Sequence, residues 1–565
     1  MTEQVVKANS LSLYLHTIRH LKPAQLTSRI ARRLFPPRLR FRRHPAPGLR
    51  PGLAMAPTLA GELPPEGEWT FCFLNVSRSF PEGEIDWRSP EMSKLWRYNL
   101  HYFDYLHDRR RSPEGCRLLI DSWIAANPPG TGDGWEPFPV SLRIVNWIKL
   151  FLRPDFRGRM VRRDWLESLF LQALWLERNV ELHLLANHYF KNGVALLFAG
   201  LFFTGHEAGR WLDRGLQILG SELGEQILPD GGHFERSPMY HAMILEDCLD
   251  LLNLCVGIPE RKVGILCERL RESSLRMVRF LLGMAHPDGE IALFNDAAFG
   301  IEATPVELAS YCARLTGARA EGPVGELWSF TDTGYYVMAP AQGDRLIIDC
   351  GPVGPDYQPG HAHCDTLSFE LSLRGRRVIV DSGCCQYVDG DIRQYNRGNA
   401  GHNTVTLDGE NQSEVWGAHR CARRTRPLHA SLVRREDGAL HFAGAHDGYC
   451  RLAGRPVHHR SVVWQGQSLV VEDWLDGRGV HDVETRLHIH PSLTVEILEG
   501  RALIRDGSEL LLTVSAMGEG EIEREEGWYA PEFGLRLPCV VLSVRRRNLM
   551  LPSRCGWSMT TGAQR

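Results

Sequence analysis

The chain has 565 residues, of which 43% are hydrophobic and 24% charged. These values are typical of globular proteins and exclude disordered, collagen-like and disulfide-scaffold chains. The 65 Lys and Arg residues nearly balance the 68 Asp and Glu residues, and the net charge is −3. Such a chain has no bulk field to attract nucleic acid or anionic lipid, and we expect no nucleic-acid partner. An anionic ligand would have to be held by local chemistry.

The N-terminal region lacks the pattern of a secretory signal, and no segment reaches the roughly 18 apolar residues that a membrane span needs. A cytoplasmic location is expected, or a periplasmic or secreted one if a leader has been removed. The Arg-rich segment 29–51 is interrupted by prolines and is expected to be a solvated arm over the main domain. The fourteen cysteines form no CxxC motif, which favours reduced thiols.

Hydrophobic residues recur every three or four positions from about Ser93 to Thr316, which predicts a large helical domain. After about Leu327 the period changes to two, in many short segments separated by turn residues, which is typical of an antiparallel sandwich. The pattern therefore predicts a multidomain α + β protein with a lead-in over 1–90, a helical domain over 91–325 and a β domain over 326–565.

A first polar cluster interrupts the apolar pattern near residue 187. On a continuous helix, Glu181, His188 and Asn192 would share one face, with Asn187 about 100° away. Only one of Asn187 and Asn192 would then reach a substrate, unless the helix breaks near Ala186. The alternative is a hydrogen-bonded polar network inside the helical domain.

A second cluster, over 230–241, contains Tyr240, whose phenol can give or take a proton. A third lies in the β region. His361 and His363 would point to one side of an extended strand, and a hairpin returns Asp381 towards them. Two histidines and a carboxylate suit Zn²⁺. A hydrogen-bonded His/Asp network without metal is the alternative.

Seven motifs, taken in order, resemble the heparinase II/III-like family of polysaccharide lyases between about Leu95 and Trp416. They are LWRYNLHYFDYL, GWEPFPVSLRIVNWIK, ELHLLANHYFKNG, DGGHFERSPMYH, HAHCDTLSFEL, VIVDSG and RQYNRGNAGHNTVTLDGENQSE. The resemblance implies an incomplete (α/α) toroid followed by an antiparallel β-sandwich. It also implies β-elimination on a uronic-acid-containing polysaccharide, with no organic cofactor.

The resemblance further implies roles for individual residues. Asn187 and His188 would face the substrate carboxylate, Tyr240 would be the acid and, for one substrate epimer, also the base, and His361 would be the alternative base. A structural divalent metal, zinc above all, would be held by His363, Asp381 and His402. Further residues expected to support or contact the substrate are Arg143, Glu181, Asn192, Glu235, Arg393, Arg397 and Trp416.

Several alternatives stay open at this point. Arg393 and Arg397 could instead pair with Asp389, Asp391 or Glu414. A glycoside hydrolase could use carboxylates among Glu181, Asp230 and Glu235, and a non-catalytic polysaccharide-binding factor of exopolysaccharide biosynthesis would keep only the cleft. The anionic polysaccharide partner is expected to be a bacterial exopolysaccharide or a glycosaminoglycan-like polymer. The sequence predicts no oligomeric state.

Overall fold

The computed structural model describes residues 11–36, 48–59, 67, 69–156 and 160–562. Helices dominate its first part, as the period of three to four predicts. In chain order they are α1 (described over 11–18), α2 (Pro23–Leu34), α3 (Lys94–Tyr102), α4 (Pro113–Ala126), α5 (Pro137–Leu152), α6 (Arg163–Asn179), α7 (Ala186–Phe202), α8 (His206–Gln226), α9 (Pro238–Cys255), α10 (Arg261–Gly283), α11 (Pro305–Thr316) and, within the β region, α12 (Asp391–Arg397).

Helix starts and contacts follow local chemistry. The Ser237 hydroxyl accepts a hydrogen bond from the Tyr240 amide and so caps α9, with Pro238 at the first helical position. Helices α7 and α8 pack closely through glycines. A Cβ on Gly200 would lie 2.4 Å from the Leu212 backbone nitrogen. This close pair sets the position of α7, whose first turn carries candidate site residues.

Two antiparallel sheets follow the helices. The first has the order β21–β22–β17–β9–β8–β7–β6–β5, with β10 also paired to β17, and the second has the order β13–β14–β15–β16–β23–β20–β19–β18. The strands of the first sheet are β5 (Leu327–Phe330), β6 (Tyr335–Met338), β7 (Arg345–Asp349), β8 (Phe369–Leu373), β9 (Arg376–Ile379), β10 (Val405–Leu407), β17 (Val480–Ile489), β21 (Glu523–Tyr529) and β22 (Leu537–Met550).

The second sheet contains β13 (Pro427–Arg434), β14 (Leu440–His446), β15 (Val457–Gln465), β16 (Ser468–Asp476), β18 (Thr494–Leu498), β19 (Arg501–Asp506), β20 (Glu509–Ala516) and β23 (Ser553–Thr561). Three short pairs complete the strands: β1 (Gly48–Leu49) with β4 (Phe203–Thr204), β2 (Thr70–Phe73) with β3 (Val76–Ser79), and β11 (Val415–Trp416) with β12 (Arg420–Cys421).

Burial alternates along the long strands, as a period of two requires. In β15 every second residue is buried. Phe369 of the first sheet and Phe442 and Trp557 of the second belong to one hydrophobic cluster. The expected order of a helical region followed by antiparallel sheets is confirmed, with α11 ending at Thr316 and β5 beginning at Leu327. The limits of the three domains stay a prediction.

Other expectations have mixed outcomes. All fourteen cysteines are free thiols. Within the described ranges, no helix is long and apolar enough to cross a membrane. Of the Arg-rich segment, residues 37–47 lie outside the described part.

Candidate active site

A cavity of ≈ 1200 Å³ contains the candidate catalytic side chains on its wall. Helical residues Asn187, His188 and Tyr240 line it, together with His361 and Tyr387 from the β region. A loop of the helical region meets the β region here: Asp296, in the segment between α10 and α11, accepts a hydrogen bond from the His361 Nδ1 (2.9 Å). The cavity therefore gathers residues that are far apart in sequence, and its size suits an oligosaccharide segment.

The helical conformation is interrupted immediately before Asn187. Helix α6 ends at Asn179 and α7 begins at Ala186, with Leu185 and Ala186 at φ values of 63° and 52°. The single helical face expected for Glu181, His188 and Asn192 is therefore wrong, because Glu181 lies in the preceding turn. This left-handed pair is costly for residues with a Cβ, and it turns Asn187 and His188 together towards the cavity.

Glu181 nevertheless contacts both of its expected neighbours. The His188 Nδ1 donates to one of its carboxylate oxygens (3.1 Å) and the Asn192 side-chain amide to the other (3.1 Å). Asn192 is fully buried, and its carbonyl oxygen accepts from the Glu181 backbone amide (2.6 Å). Neither Glu181 nor Asn192 lines the cavity. They position His188, and the expectation that they touch the substrate is not supported.

The electrostatics of His188 favour its cation. Burial lowers the pKa of His188, but the Glu181 carboxylate raises it more, and the net shift is upward. With Nδ1–H directed at Glu181, the Nε2 side of the ring is left for the cavity, which His188 lines. His188 can therefore present a positively charged donor to an anionic ligand.

Asn187 is held by Glu235. Its backbone amide and its side-chain amide both donate to the Glu235 carboxylate, at 3.0 Å. The Asn187 Oδ1 is buried and has no hydrogen-bond partner in the described part of the chain. Glu235 is buried and does not line the cavity, so it orients Asn187 rather than contacting a substrate directly.

Tyr240 and His361 form a close pair. Their rings are tilted by 30° with centroids 3.9 Å apart, and the Tyr240 hydroxyl is hydrogen bonded to the Tyr387 hydroxyl at 3.0 Å. Burial raises the pKa of Tyr240 well above its usual value, so the phenol keeps its proton at neutral pH. Sequence reasoning missed Tyr387, which follows the VIVDSG motif by four residues and had no spacing signal of its own.

Asp296 is the second residue that sequence reasoning missed. One of its oxygens accepts from His361 Nδ1 (2.9 Å) and the other from His363 Nε2 (2.8 Å), and Arg393 forms a two-pronged ion pair with it. Burial alone would raise the pKa of Asp296, but the Arg393 guanidinium and the two imidazoles hold it well below its usual range. An ionised Asp296 fixes His361 with Nδ1–H donated, and the His361 Nε2 lies 3.5 Å from a carboxylate oxygen of Glu235.

Both histidines of the HxH motif thus turn towards one carboxylate, although residues 361–363 form an irregular segment rather than a strand. They differ in depth: His361 lines the cavity, whereas His363 is completely buried. The loop LFNDAAFG, which carries Asp296, had only a general signal, a polar residue in a Gly-containing turn between two helices.

The expected metal ligands are only partly arranged for a metal. The His363 and His402 rings are 5.4 Å apart, and His363 Nδ1 and His402 Nε2 are buried without partners. The third residue, Asp381, accepts from His402 Nδ1 (2.7 Å) and from the Gly383 amide (3.1 Å). Across the described ranges, no three His, Cys, Asp or Glu side chains gather as metal ligands. The three residues do not fit a ligand set as they stand, and the metal stays a prediction.

Three arginines expected near the substrate are fully buried and committed elsewhere. Arg143 donates to Gln172 and to two backbone carbonyls, and Arg397 donates to three backbone carbonyls. Arg393 pairs with Asp296, and not with any of the three acidic residues considered from the sequence. The expectation that these three arginines bind the substrate is therefore not supported, because their buried guanidinium groups stabilise loops and do not line the cavity.

Trp416 does line the cavity, as expected of a sugar-stacking residue. Its indole N–H donates to the Thr17 hydroxyl (3.2 Å), and the Tyr14 ring meets its edge at 4.8 Å between centroids. Helix α1 therefore forms part of the wall beside Trp416. No pattern in the sequence predicted this contact between the N-terminal helix and the β region.

A group of charged residues lines another part of the cavity, one to three turns further along α9 from Tyr240. Lys149 donates to Asp250 (2.6 Å) and Lys191 to Asp247 (2.9 Å). Two more carboxyl groups, Glu246 and Glu302, are hydrogen bonded to each other. Burial is the main cause that raises the pKa of both; repulsion by Asp250 adds to it at Glu246, and repulsion by Glu246 and Asp247 adds to it at Glu302. The carboxyl groups outnumber the lysines in this acidic group, which we define as these six residues.

Family models match two consecutive parts of the chain. "Heparinase II/III N-terminus" covers residues 69–311 and "Heparinase II/III-like, C-terminal" covers residues 322–558. A heparin-sulfate lyase of Bacteroides thetaiotaomicron is 26% identical over 482 residues, which are 74% of this chain and 64% of the relative. One of Bacteroides stercoris is 24% identical over 408 residues, 61% of this chain and 59% of the relative.

The chain spans about three fifths of the length of these curated relatives. A solved structure named Heparinase III has the same fold, with a TM-score of 0.65 over 86% of this chain and 80% of that one, at 19% identity. Both regions of the chain, helical and β, are thus matched by models of one family. The chain belongs to the heparinase II/III-like family.

Proposed function

We propose that this protein is a polysaccharide lyase that cleaves a uronic-acid-containing polysaccharide by β-elimination. The observation that carries the proposal is the stacked pair of Tyr240 and His361, 3.9 Å apart between ring centroids, on the wall of a cavity that Asn187 and His188 also line. A general acid, a base and a carboxylate-binding group thus share one cavity. The names of the curated relatives, heparin-sulfate lyases, support the same reaction class.

The first requirement of this reaction is charge neutralisation. The proton on C5 of a uronate is weakly acidic because the adjacent carboxylate is already negative. A cationic His188, held in place by Glu181, would bind that carboxylate and stabilise the charge that develops on it as the proton leaves. Asn187, clamped by Glu235, would orient the sugar beside it.

The second requirement is an acid and a base. The His361 Nε2 takes the C5 proton, and the electron pair of that bond forms the C4=C5 double bond. The bond between C4 and the bridging oxygen breaks, and Tyr240 donates its hydroxyl proton to the departing oxygen. Acting as the base as well would require Tyr240 to lose its proton first, which burial opposes because it raises the Tyr240 pKa. The raised pKa of Tyr240 therefore favours His361 as the base.

The charge distribution supports a specific substrate class. We place the uronate next to His188, and a sugar unit without sulfate next to the acidic group, because both lysines of that group are already paired with Asp250 and Asp247. A bacterial exopolysaccharide with few sulfate groups satisfies this arrangement better than a heavily sulfated glycosaminoglycan. Parallel assays on sulfated and chemically desulfated heparan sulfate test it: faster cleavage of the desulfated polymer is expected, and the opposite order would contradict it.

Two further features belong to the same proposal. The helices would form an incomplete (α/α) toroid and the two sheets a β-sandwich, as family membership implies. A divalent metal would bind between His363 and His402, whose two unpartnered nitrogens support it, once Asp381 turns from His402. No catalytic step depends on it. Elemental analysis of the purified protein should find one zinc or similar ion per chain, lost in His363→Ala; a metal-free folded protein would refute it.

A second candidate function, hydrolysis, rests on the Glu246 and Glu302 pair, since two carboxyl groups with raised pKa values resemble the acid and base of a glycosidase. The carboxylates considered from the sequence are unsuited: Glu181 and Glu235 are held in buried hydrogen bonds, and Asp230 accepts from Thr333.

One experiment separates the two functions. A panel of uronic-acid polymers is incubated with the protein, and near-ultraviolet absorbance and new reducing ends are followed together. For a lyase both signals rise in parallel, Tyr240→Phe and His361→Ala abolish them, and Glu302→Gln leaves most of the activity. Reducing ends without absorbance, abolished by Glu302→Gln, would instead establish hydrolysis.

A further inference from the structure

Helix α2 has its apolar residues on the side turned away from the protein. Leu26, Ile30 and Leu34 lie along one stripe, and Ile30 and Leu34 are 60% and 64% exposed. The next residue, Phe35, is 77% exposed. An amphipathic helix of a globular protein normally directs such a stripe to the core. The orientation of α2 is therefore inverted.

Polar contacts hold α2 in this orientation. Gln25 is its buried residue, and its amide donates to the backbone carbonyls of Leu184 and Tyr357, both at 3.2 Å. Arg29 donates to the His183 carbonyl (3.3 Å), and Arg32 to a carbonyl at the end of α6 (3.2 Å). Positions 25, 29 and 32 share one helical face. The polar face thus docks on the protein and leaves the apolar face outward.

Helix α1 repeats the arrangement. Leu11 and Leu15 are 62% and 61% exposed and lie on one stripe with the half-exposed Ile18. Its polar residues make the contacts with the protein: the Ser12 hydroxyl accepts from Arg423 (3.2 Å) and the Thr17 hydroxyl from Trp416 (3.2 Å). Two consecutive helices therefore present apolar stripes to solvent.

The charge of this region is one-sided. Between residues 4 and 61 the sequence contains eleven Lys or Arg residues and neither Asp nor Glu, in a chain with a net charge of −3. Five of these cations lie within 11–36, including the exposed Arg33. A basic helix with an exposed apolar stripe complements a surface that is both negatively charged and apolar beneath.

We propose that α1 and α2 attach the protein to the surface of an anionic phospholipid membrane, with the apolar stripes at the boundary between headgroups and acyl chains. The exposed Arg33, which makes none of the contacts that dock α2 on the protein, would pair with lipid phosphates. Nucleic acid would match the arginines alone and leave the apolar stripes in water, so the lipid surface fits better. Tyr14 and Ile18 of α1 also line the cavity, and attachment would bring the cavity close to the membrane. This inference does not depend on the reaction proposed above.

The test is co-sedimentation of the full chain with phosphatidylcholine vesicles that do or do not contain phosphatidylglycerol. Binding is expected only to the anionic vesicles, and it should weaken as salt is added. Ile30→Asp and Leu34→Asp should each weaken it about tenfold or more. The matched control is Ile265→Asp, since Ile265 is 57% exposed on α10, which packs against α8, α9 and α11; it should bind like the wild type. Unfolding midpoints of all variants establish that they are folded.

Three results would overturn the proposal. The first is no binding to anionic vesicles at low salt, and the second is equal binding by wild type and folded Ile30→Asp. The third is a wild-type protein that forms a dimer in solution and a variant Ile30→Asp that is a monomer, with no vesicle binding by either. That result would assign the apolar stripes to contact with a second copy of the chain. Retardation of duplex DNA without vesicle binding would likewise assign the arginines to nucleic acid.

Discussion

Replacing Glu181 by Gln should weaken catalysis through its effect on His188, although the substitution touches neither the candidate acid nor the candidate base. The substitution keeps the shape of the side chain and an oxygen for Asn192 but removes the negative charge that His188 Nδ1 contacts at 3.1 Å. Glu181 is buried and does not line the cavity. Its contribution is therefore made through the charge of His188.

The magnitude follows from that contact. A hydrogen bond to a charged group contributes about 1.5–3 kcal/mol, which corresponds to a roughly 10- to 150-fold lower kcat/KM at neutral pH. The direction in which activity changes with pH follows from the upward shift of the His188 pKa. The active cation is present below that pKa and is lost as pH rises through it, so without Glu181 the loss of activity must occur at lower pH.

The assay is the pH dependence of kcat/KM for wild type and Glu181→Gln on the same uronate polymer. The control is Glu222→Gln, a buried glutamate of α8 that accepts from Gln226 (2.7 Å) away from the cavity; its profile should match that of the wild type. An alkaline limb at the same pH in wild type and Glu181→Gln would refute the assignment of His188 as the cationic donor.

Three other outcomes are expected. Tyr387→Phe removes the partner of the candidate acid and should lower kcat about tenfold with little change in KM; an unchanged kcat would exclude a role for the hydroxyl pair. Asp296→Asn leaves the buried Arg393 without its counter-charge and should reduce the free energy of unfolding in urea by about 3–5 kcal/mol, and a loss below 1 kcal/mol would contradict the ion pair. Burial alone would raise the pKa of Asp473, but Arg460 and a neighbouring imidazole hold it low. The ionised Asp473 therefore stabilises the folded protein at pH values above its pKa in the unfolded chain, and this contribution is lost as pH falls through its pKa in the folded protein. Acid unfolding of Asp473→Asn should therefore depend less on pH than that of the wild type.

The sequence predicts the larger features because they depend on periodic burial. The change from a period of three or four to a period of two near residue 327 is a direct consequence of which faces are buried, and β15 shows the alternation residue by residue. Several residues at the cavity wall, including His188, Tyr240 and His361, were also found, because each departs from an apolar pattern or belongs to a family motif.

The supporting contacts could not be predicted in the same way. The break before Asn187 depends on left-handed φ values at Leu185 and Ala186, for which neither residue type has a preference. Asp296 and Tyr387 meet their partners across 65 and 147 positions of sequence. Such pairings depend on how the loops of two regions meet, and a single sequence carries no periodic signal for them.

The buried arginines illustrate a related difficulty. Arg393 has the same chemistry whether it binds a uronate or an internal carboxylate, and only its burial against Asp296 distinguishes the two. The inverted helix α2 is a further case: it lies in the lead-in, where the sequence predicted no helix, and its polar face is the one that meets the protein.

The most direct test of the proposed elimination is to cleave a uronic-acid polymer in water enriched in heavy oxygen and weigh the new chain ends by mass spectrometry. The account predicts products that lack one water, contain no heavy oxygen and disappear with Tyr240→Phe. Products that have gained one water, with heavy oxygen already present at the earliest time points, would contradict it, because elimination adds no water and only slow exchange brings water oxygen to a reducing end.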